Sequence, residues 1–155
     1  MTDFLRHTVA TLAYRGGKVL RGAPPEFGNY RPGETSRSAV EILSHIGDLL
    51  DWGLALADGR HDWSEAGTTE WEAAVDRFHG GLERMDARLA TGVPLGHAAE
   101  RLFQGPVADA LTHVGQLAMM RRLSGLAVRG ENYFKAEITA GRVGREQAAP
   151  RREFD

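Results

Sequence analysis

Three side chains of this sequence have the types and spacing of a metal site. Asp109 and His113 are four residues apart in the stretch 105–123, which has the apolar pattern of one amphipathic helix. That spacing places both side chains on one face of a helix, one turn apart. A second isolated histidine, His45, lies in another apolar stretch, 41–52. We predict that the two helices face each other and that the three side chains converge on a metal ion.

The ligand types restrict both the metal and the kind of site. The sequence has no cysteine, so histidine nitrogen and carboxylate oxygen are the expected ligands, which suit zinc, iron, nickel or manganese. Three protein ligands leave coordination positions for water or substrate, as is typical of reactive sites. Gln116 follows His113 by three residues and Asp48 follows His45 by three. Both can therefore approach the same helix faces and help to orient the ligands.

A less specific interpretation stays open. An Asp–His pair at this spacing can be a hydrogen-bonded pair in a helical core, with no metal. A carboxylate buried in an apolar helix is costly unless it is paired or metal-bound, so Asp109 requires one of the two explanations. His79 is interpreted as a surface partner of Glu83. The sequence carries no Gly-rich phosphate loop, H-E-x-x-H pattern or nucleophile elbow.

Composition excludes several classes of protein. The chain has 155 residues, 42% hydrophobic and 26% charged, which suffices for one domain with a core. The net charge is −2, with both signs interspersed, so we expect no nucleic-acid partner. No apolar run approaches the roughly 20 residues that span a membrane, and the N-terminus has no secretory pattern. We predict a cytoplasmic protein with no membrane partner.

Helical periodicity predicts four long helices and no strands. Their expected ranges are Thr2 to about Leu20, a cap at Thr35 or Ser36 to about Ala57, Thr68 or Thr69 to the turn at Thr91, and Gly105–Leu123. Residues 21–34 are rich in proline and glycine and predict an irregular loop. The elements indicate an all-α four-helix bundle over residues 1–125. Residues 126–155 are expected to form a C-terminal extension, with a short helix near 130–138 and frayed chain beyond Arg145.

The candidate ligands resemble a known family. His45 in the second helix and D-A-L-T-H-V-G-Q at 109–116 in the last helix are similar to the DinB/YfiT-like superfamily, over roughly Thr2–Leu123. The family's last helix commonly carries two histidines, the second followed by Arg-Gly-Gln. Here Asp109 stands in place of the first, and His113-Val-Gly-Gln matches the second. The resemblance implies an up-down-down-up bundle, with connection 58–67 crossing it, and a divalent metal held by these three residues.

The resemblance also implies a function. Several family members transfer or isomerise groups with a low-molecular-weight thiol, whose pKa a metal would lower. The leading hypothesis is therefore a metal-dependent thiol S-transferase or isomerase acting on a small molecule. A non-catalytic bundle that binds a metal or small ligand in a stress or regulatory role is the second, and an interaction module is the third. Exposed apolar stripes also allow a homodimer, with Trp52, Trp63 and Trp71 as contributors.

Overall fold

Four long helices form the body of the protein, which a computed structural model describes over residues 1–154. The first three helices are α1 (Thr2–Leu20), α2 (Ala39–Ala57) and α3 (Trp71–Ala90). The fourth is a continuous run of α4 (Ala99–Leu102), a π-helical turn (Phe103–Val107) and α5 (Ala108–Leu123). Short 3-10 helices occupy Pro25–Asn29 and Tyr133–Lys135, and β1 (Gly130–Glu131) pairs antiparallel with β2 (Glu153–Phe154). The predicted all-α four-helix bundle is confirmed.

The helices α2 and α3 run parallel. Their contacts advance in the same direction along both helices, at Gly47–Arg77, Leu50–Gly81 and Asp58–Arg88. The connection between them must therefore return along the length of the bundle. It has 13 residues, from position 58 to position 70, and reaches about 43 Å when extended. A helix of 19 residues such as α2 is only about 28 Å long, so the connection is long enough.

The other two long helices run opposite to that pair. On α1 and α3 the contacts advance in opposite directions, at Arg6–Asp86 and Gly16–Phe78. The contacts between α2 and the fourth helix also advance in opposite directions, at His45–His113 and Trp52–Gly105. The course is therefore up-down-down-up, as predicted. Because α2 packs against both α3 and α5, one of its faces is turned toward the candidate ligands of α5.

The start of α2 differs from the prediction. Neither Thr35 nor Ser36 caps the helix; the N-cap is Ser38. Its hydroxyl accepts the backbone N–H of Glu41 at 3.3 Å, and the Glu41 carboxylate accepts the N–H of Ser38 at 2.6 Å. This reciprocal capping box requires Glu three residues after the cap. Ser38 has Glu41 at this position, whereas the residue three positions after Ser36 is Ala39, which cannot accept the hydrogen bond.

The loop at 21–34 packs on the bundle through its aromatic residues. It was expected to have no regular element, but Pro25–Asn29 forms a 3-10 helix. Phe27 is buried and lies edge-to-face on Trp71, with ring centroids 5.3 Å apart. Trp71 is itself only 3% exposed, so it is inside the chain and unavailable as a dimer contact.

The C-terminal extension packs against α1. Glu131 of β1 is buried and accepts hydrogen bonds from Tyr14 and Lys18, at 2.5 and 2.7 Å. The short helix predicted near 130–138 is a single 3-10 turn. The fraying predicted beyond Arg145 is contradicted as far as Phe154, because β2 pairs with β1. These contacts join residues remote in sequence, which a local pattern does not reveal.

Within residues 1–154, no helix combines the length and the apolar character needed to cross a membrane.

The histidine of α3 is buried, which contradicts its interpretation as a surface residue. His79 is 8% exposed, and among the described residues its Nδ1 has no hydrogen-bond partner. It lines a cavity of about 300 Å³ with Trp71 and Arg145. Burial therefore keeps the imidazole neutral near pH 7 in the folded protein, since charging it would place a cation in a poorly hydrated site.

Lowering the pH from 7 to 5 is expected to reduce the free energy of unfolding by about 2 kcal/mol through His79. Burial lowers its pKa from 6.5 to about 4; Arg145 and Arg21 add to the effect, while Asp76 and the Val143 backbone oppose it. As the pH falls, His79 therefore takes up its proton in the unfolded chain before it does so in the folded protein. Its contribution to the free energy of unfolding is complete above about pH 6.5 and is lost as the pH falls toward 4. Urea unfolding of the wild type and His79→Gln at both pH values measures the effect. An equal loss in both proteins would contradict it.

Candidate metal centre

The packing of α2 on α5 brings the three predicted ligands together. His45 projects from α2, and Asp109 and His113 project from successive turns of α5. One nitrogen or oxygen atom from each residue lies within 4.8 Å of the other two. The two imidazole rings are perpendicular, with centroids 4.7 Å apart. All three residues were predicted from the sequence, and the structure brings His45 to the α5 pair from a helix 64 positions away, counting from 45 to 109.

The separations within the cluster fit an ion better than a hydrogen-bonded pair. Nε2 of His113 lies 3.4 Å from one Asp109 oxygen, and Nε2 of His45 lies 3.7 Å from the other. A hydrogen bond between these groups would be near 2.8 Å. A tetrahedral ion with bonds of about 2.1 Å would instead hold its ligand atoms about 3.4 Å apart. The two His–Asp separations, which run to different oxygens of Asp109, are close to that value, so the spacing is compatible with a small divalent cation.

The carboxylate of the cluster is open to solvent. The Asp109 side chain is 47% exposed, against 20% for His45 and 14% for His113. Asp109 is therefore not the buried carboxylate that the sequence predicted. The side chain faces a cleft that is also lined by Trp52 and Thr112. The metal site is supported instead by the convergence of the three side chains. The exposed side of Asp109 leaves room for a further ligand.

Gln116 lies where the sequence predicted, against His113. Its Oε1 is 2.8 Å from Nδ1 of that imidazole. An amide oxygen only accepts, so this contact places a proton on Nδ1 and leaves Nε2 as the ring nitrogen that could bind a metal. Such an outer hydrogen bond fixes the tautomer and the ring orientation of a metal-binding histidine.

Asp48 does not share the site, although the sequence placed it near His45. Its carboxylate is 5% exposed and pairs with Arg77 of α3 at 2.7 Å. It also accepts the backbone N–H of Ala66 at 3.0 Å. Asp48 therefore ties the long connection to the α2–α3 pair. The i, i+3 spacing from His45 indicated a nearby face but not the arginine that α3 supplies there.

The connection 58–70 places an aromatic side chain over the cluster, which sequence reasoning missed. The ring of Trp63 lies 5.8 Å from that of His45 and 5.7 Å from that of Trp52, perpendicular to the latter. Trp63 is 43% exposed and partly covers His45. The available signal was a tryptophan in a long crossing connection, since such connections often carry functional residues.

The charges around His45 favour its neutral form. Burial is the main cause that lowers its pKa, and the neighbouring His113 and Arg37 lower it further, while Asp109 opposes them. A neutral imidazole keeps the lone pair that a metal ion needs. Arg37 was not singled out in the sequence.

A π-helical turn sets the orientation of α5. The helix predicted from Gly105 begins earlier, at Ala99, and passes through the π turn before Asp109. Pro106 lies inside that turn and cannot donate an i→i−4 hydrogen bond, which explains the irregularity. Gly53 of α2 accommodates the proline, because a Cβ there would lie 3.3 Å from the Pro106 ring. The extra residue rotates the following positions by about 100° about the helix axis.

No protein-family model, curated protein or solved structure matches this chain. The fold and the site define a four-helix bundle with a histidine–carboxylate cluster between two of its helices. Membership of the DinB/YfiT-like superfamily stays a prediction, resting on His45 and the 109–116 motif.

Proposed function

We propose that the protein is a metal-dependent enzyme that transfers or isomerises groups on a small molecule with a low-molecular-weight thiol as co-substrate. One observation carries the proposal: donor atoms of His45, Asp109 and His113 lie within 4.8 Å of one another at separations too long for hydrogen bonds among them. The donor set of two imidazoles and one carboxylate suits zinc and non-haem iron, and also nickel or manganese.

Each residue of the site has a definite task in this proposal. A divalent cation held there would supply a Lewis acid that keeps the sulfur of a thiol ionised near neutral pH. Asp109 would offset part of the cation's charge on the open side. Gln116 holds the His113 ring in one tautomer, and Trp63 shields His45 from water on its covered side. Since the chain has no cysteine, the nucleophilic sulfur comes from the small molecule.

The untagged protein is expected to bind about one equivalent of zinc, and His45→Ala and His113→Ala are expected to bind none at micromolar concentration. Each substitution removes one of only three protein ligands. Elemental analysis after zinc loading and desalting measures the stoichiometry. His61→Ala is the matched control, since His61 lies in the connection, outside the cluster. Absence of zinc in the folded wild type would reduce the cluster to helix packing and overturn the proposal.

Turnover tests the second half of the proposal. The zinc-loaded wild type is mixed with each of several bacterial thiols and the electrophile monobromobimane, and the rate is compared with that of His113→Ala. A rate above that of the variant with at least one thiol supports the enzyme. Bound zinc with no such rate would leave a non-catalytic metal-binding bundle, which is the alternative function.

A further inference from the structure

A groove beside the candidate metal centre has an apolar floor and is lined by one of the ligands. It encloses about 610 Å³, within the range of pockets that bind small organic molecules. Its apolar side chains come from α2, α5 and the loop before α2: Ile42, Met119, Met120, Leu123 and Pro32. Met119 and Leu123 are 57% and 58% exposed, so the groove presents apolar surface to solvent. His113 and Gln116 also line it.

An arginine that pairs with no other residue of the described range 1–154 lines this groove. Arg37 lines the groove and also lines a second cavity that contains His45. The side chain is exposed and makes no hydrogen bond or ion pair with any residue in the range 1–154. Its neighbour Arg31, by contrast, is paired with Glu41 at 2.9 Å. The guanidinium of Arg37 is also close enough to His45 to act on its pKa.

We infer that the groove binds a small organic carboxylate whose apolar body lies on Met119 and Ile42 and whose acid group pairs with Arg37. Guanidinium binds carboxylate through two parallel N–H···O bonds. The apolar floor would hold the remainder of the molecule beside His113. Binding of the carboxylate does not depend on the proposed function. Only its role as the substrate of the metal-dependent reaction rests on that proposal.

The charge arrangement favours an acid over a neutral ligand. The groove's lining contains one full charge, the Arg37 guanidinium, and no carboxylate. The apolar part of such an acid would cover the exposed methionine and leucine side chains. Its carboxylate would at the same time serve as the counter-ion of the Arg37 guanidinium. A second copy of the chain would cover the same apolar side chains and is distinguished in the test.

Calorimetric titration with 4-phenylbutanoate and its neutral amide, 4-phenylbutanamide, tests the assignment. The acid is expected to bind the wild type about tenfold more tightly than the amide. In Arg37→Gln that ratio is expected to fall to about one with the amide affinity unchanged, whereas Met119→Gln is expected to weaken both about fivefold. Arg101→Gln, an exposed arginine on α4, is the control and should retain the ratio.

The titrations are run on metal-free and on zinc-loaded protein, so that this inference and the metal proposal can fail separately. A protein that binds no zinc but prefers the acid through Arg37 would refute only the metal. Equal affinity for acid and amide, or a preference that survives Arg37→Gln, would overturn the groove assignment. Analytical sedimentation gives a further test. If the wild type sediments as a dimer that Met119→Gln dissociates but that neither probe dissociates, the groove is an interface between two copies and the assignment is overturned.

Discussion

Replacing Glu131 with alanine is expected to lower the free energy of unfolding by about 3–5 kcal/mol. The Glu131 side chain is fully buried, and the Lys18 ammonium that it binds at 2.7 Å is only 8% exposed. Without Glu131, the nearest acid to that ammonium is Glu153, at 3.8 Å. The Tyr14 hydroxyl would lose its acceptor as well. Without Glu131 the buried Lys18 ammonium would keep only this longer contact with the more exposed Glu153, and a poorly compensated buried charge costs far more than a surface pair is worth.

Urea unfolding followed by circular dichroism at pH 7 measures the change. Glu137→Ala is the matched control in the same extension, because Glu137 is 44% exposed and pairs with arginines at the surface. Its loss is expected to cost less than about 1 kcal/mol. Similar small losses in both variants would show that the extension contributes little to stability. Zinc binding at 25 °C should be equal in both folded variants, since the three candidate ligands all lie outside the extension.

Gly96→Ala is expected to destabilise the protein by about 3 kcal/mol. A Cβ at this position would lie 2.1 Å from Cα and 2.2 Å from N of Gly59, so it would collide with backbone rather than with a movable side chain. The Gly96 N–H also donates to the Ala57 carbonyl at 3.0 Å. Relief of the clash would break this contact, which holds the end of α2 to the segment before α4.

Thermal and urea unfolding of Gly96→Ala test this close approach. Gly33→Ala is the control, because a Cβ at Gly33 would meet nothing within 4 Å. That change is expected to be neutral or to stabilise the protein by up to about 1 kcal/mol. If both alanine variants unfold alike, the two backbones are not in contact in solution.

The helical architecture could be predicted because its signals are local. The apolar stripes of α1, α2 and α3 repeat within single helices, and their ranges were expected to within a few residues. The start of the fourth helix was missed because Pro106 indicates a break, whereas the π turn lets the helix continue through it. Pro106 packs against Gly53 on α2. No local sequence pattern connects this glycine to a proline in another helix.

The site was predictable in its ligands and less so in its surroundings. The four-residue spacing of Asp109 and His113 follows from helix geometry, as does the position of Gln116. The exposure of Asp109 and the pairing of Asp48 with Arg77 depend on which helix packs on which face. Those facts require the tertiary arrangement. The homodimer, the cytoplasmic location and the thiol stay predictions.

The parallel run of α2 and α3 has a consequence for how the chain folds. In an up-and-down bundle, neighbouring helices form hairpins closed by short turns, and early contacts are local. Here α2 and α3 contact each other about 30 positions apart along their whole length, as at Gly47–Arg77 and Asp58–Arg88, so no part of that interface is closed by a tight turn. A higher mean sequence separation between contacting residues slows folding. The contacts of His45 with Asp109 and His113 span 64 and 68 positions (45 to 109 and 45 to 113), so the cluster requires segments from both halves of the chain to meet.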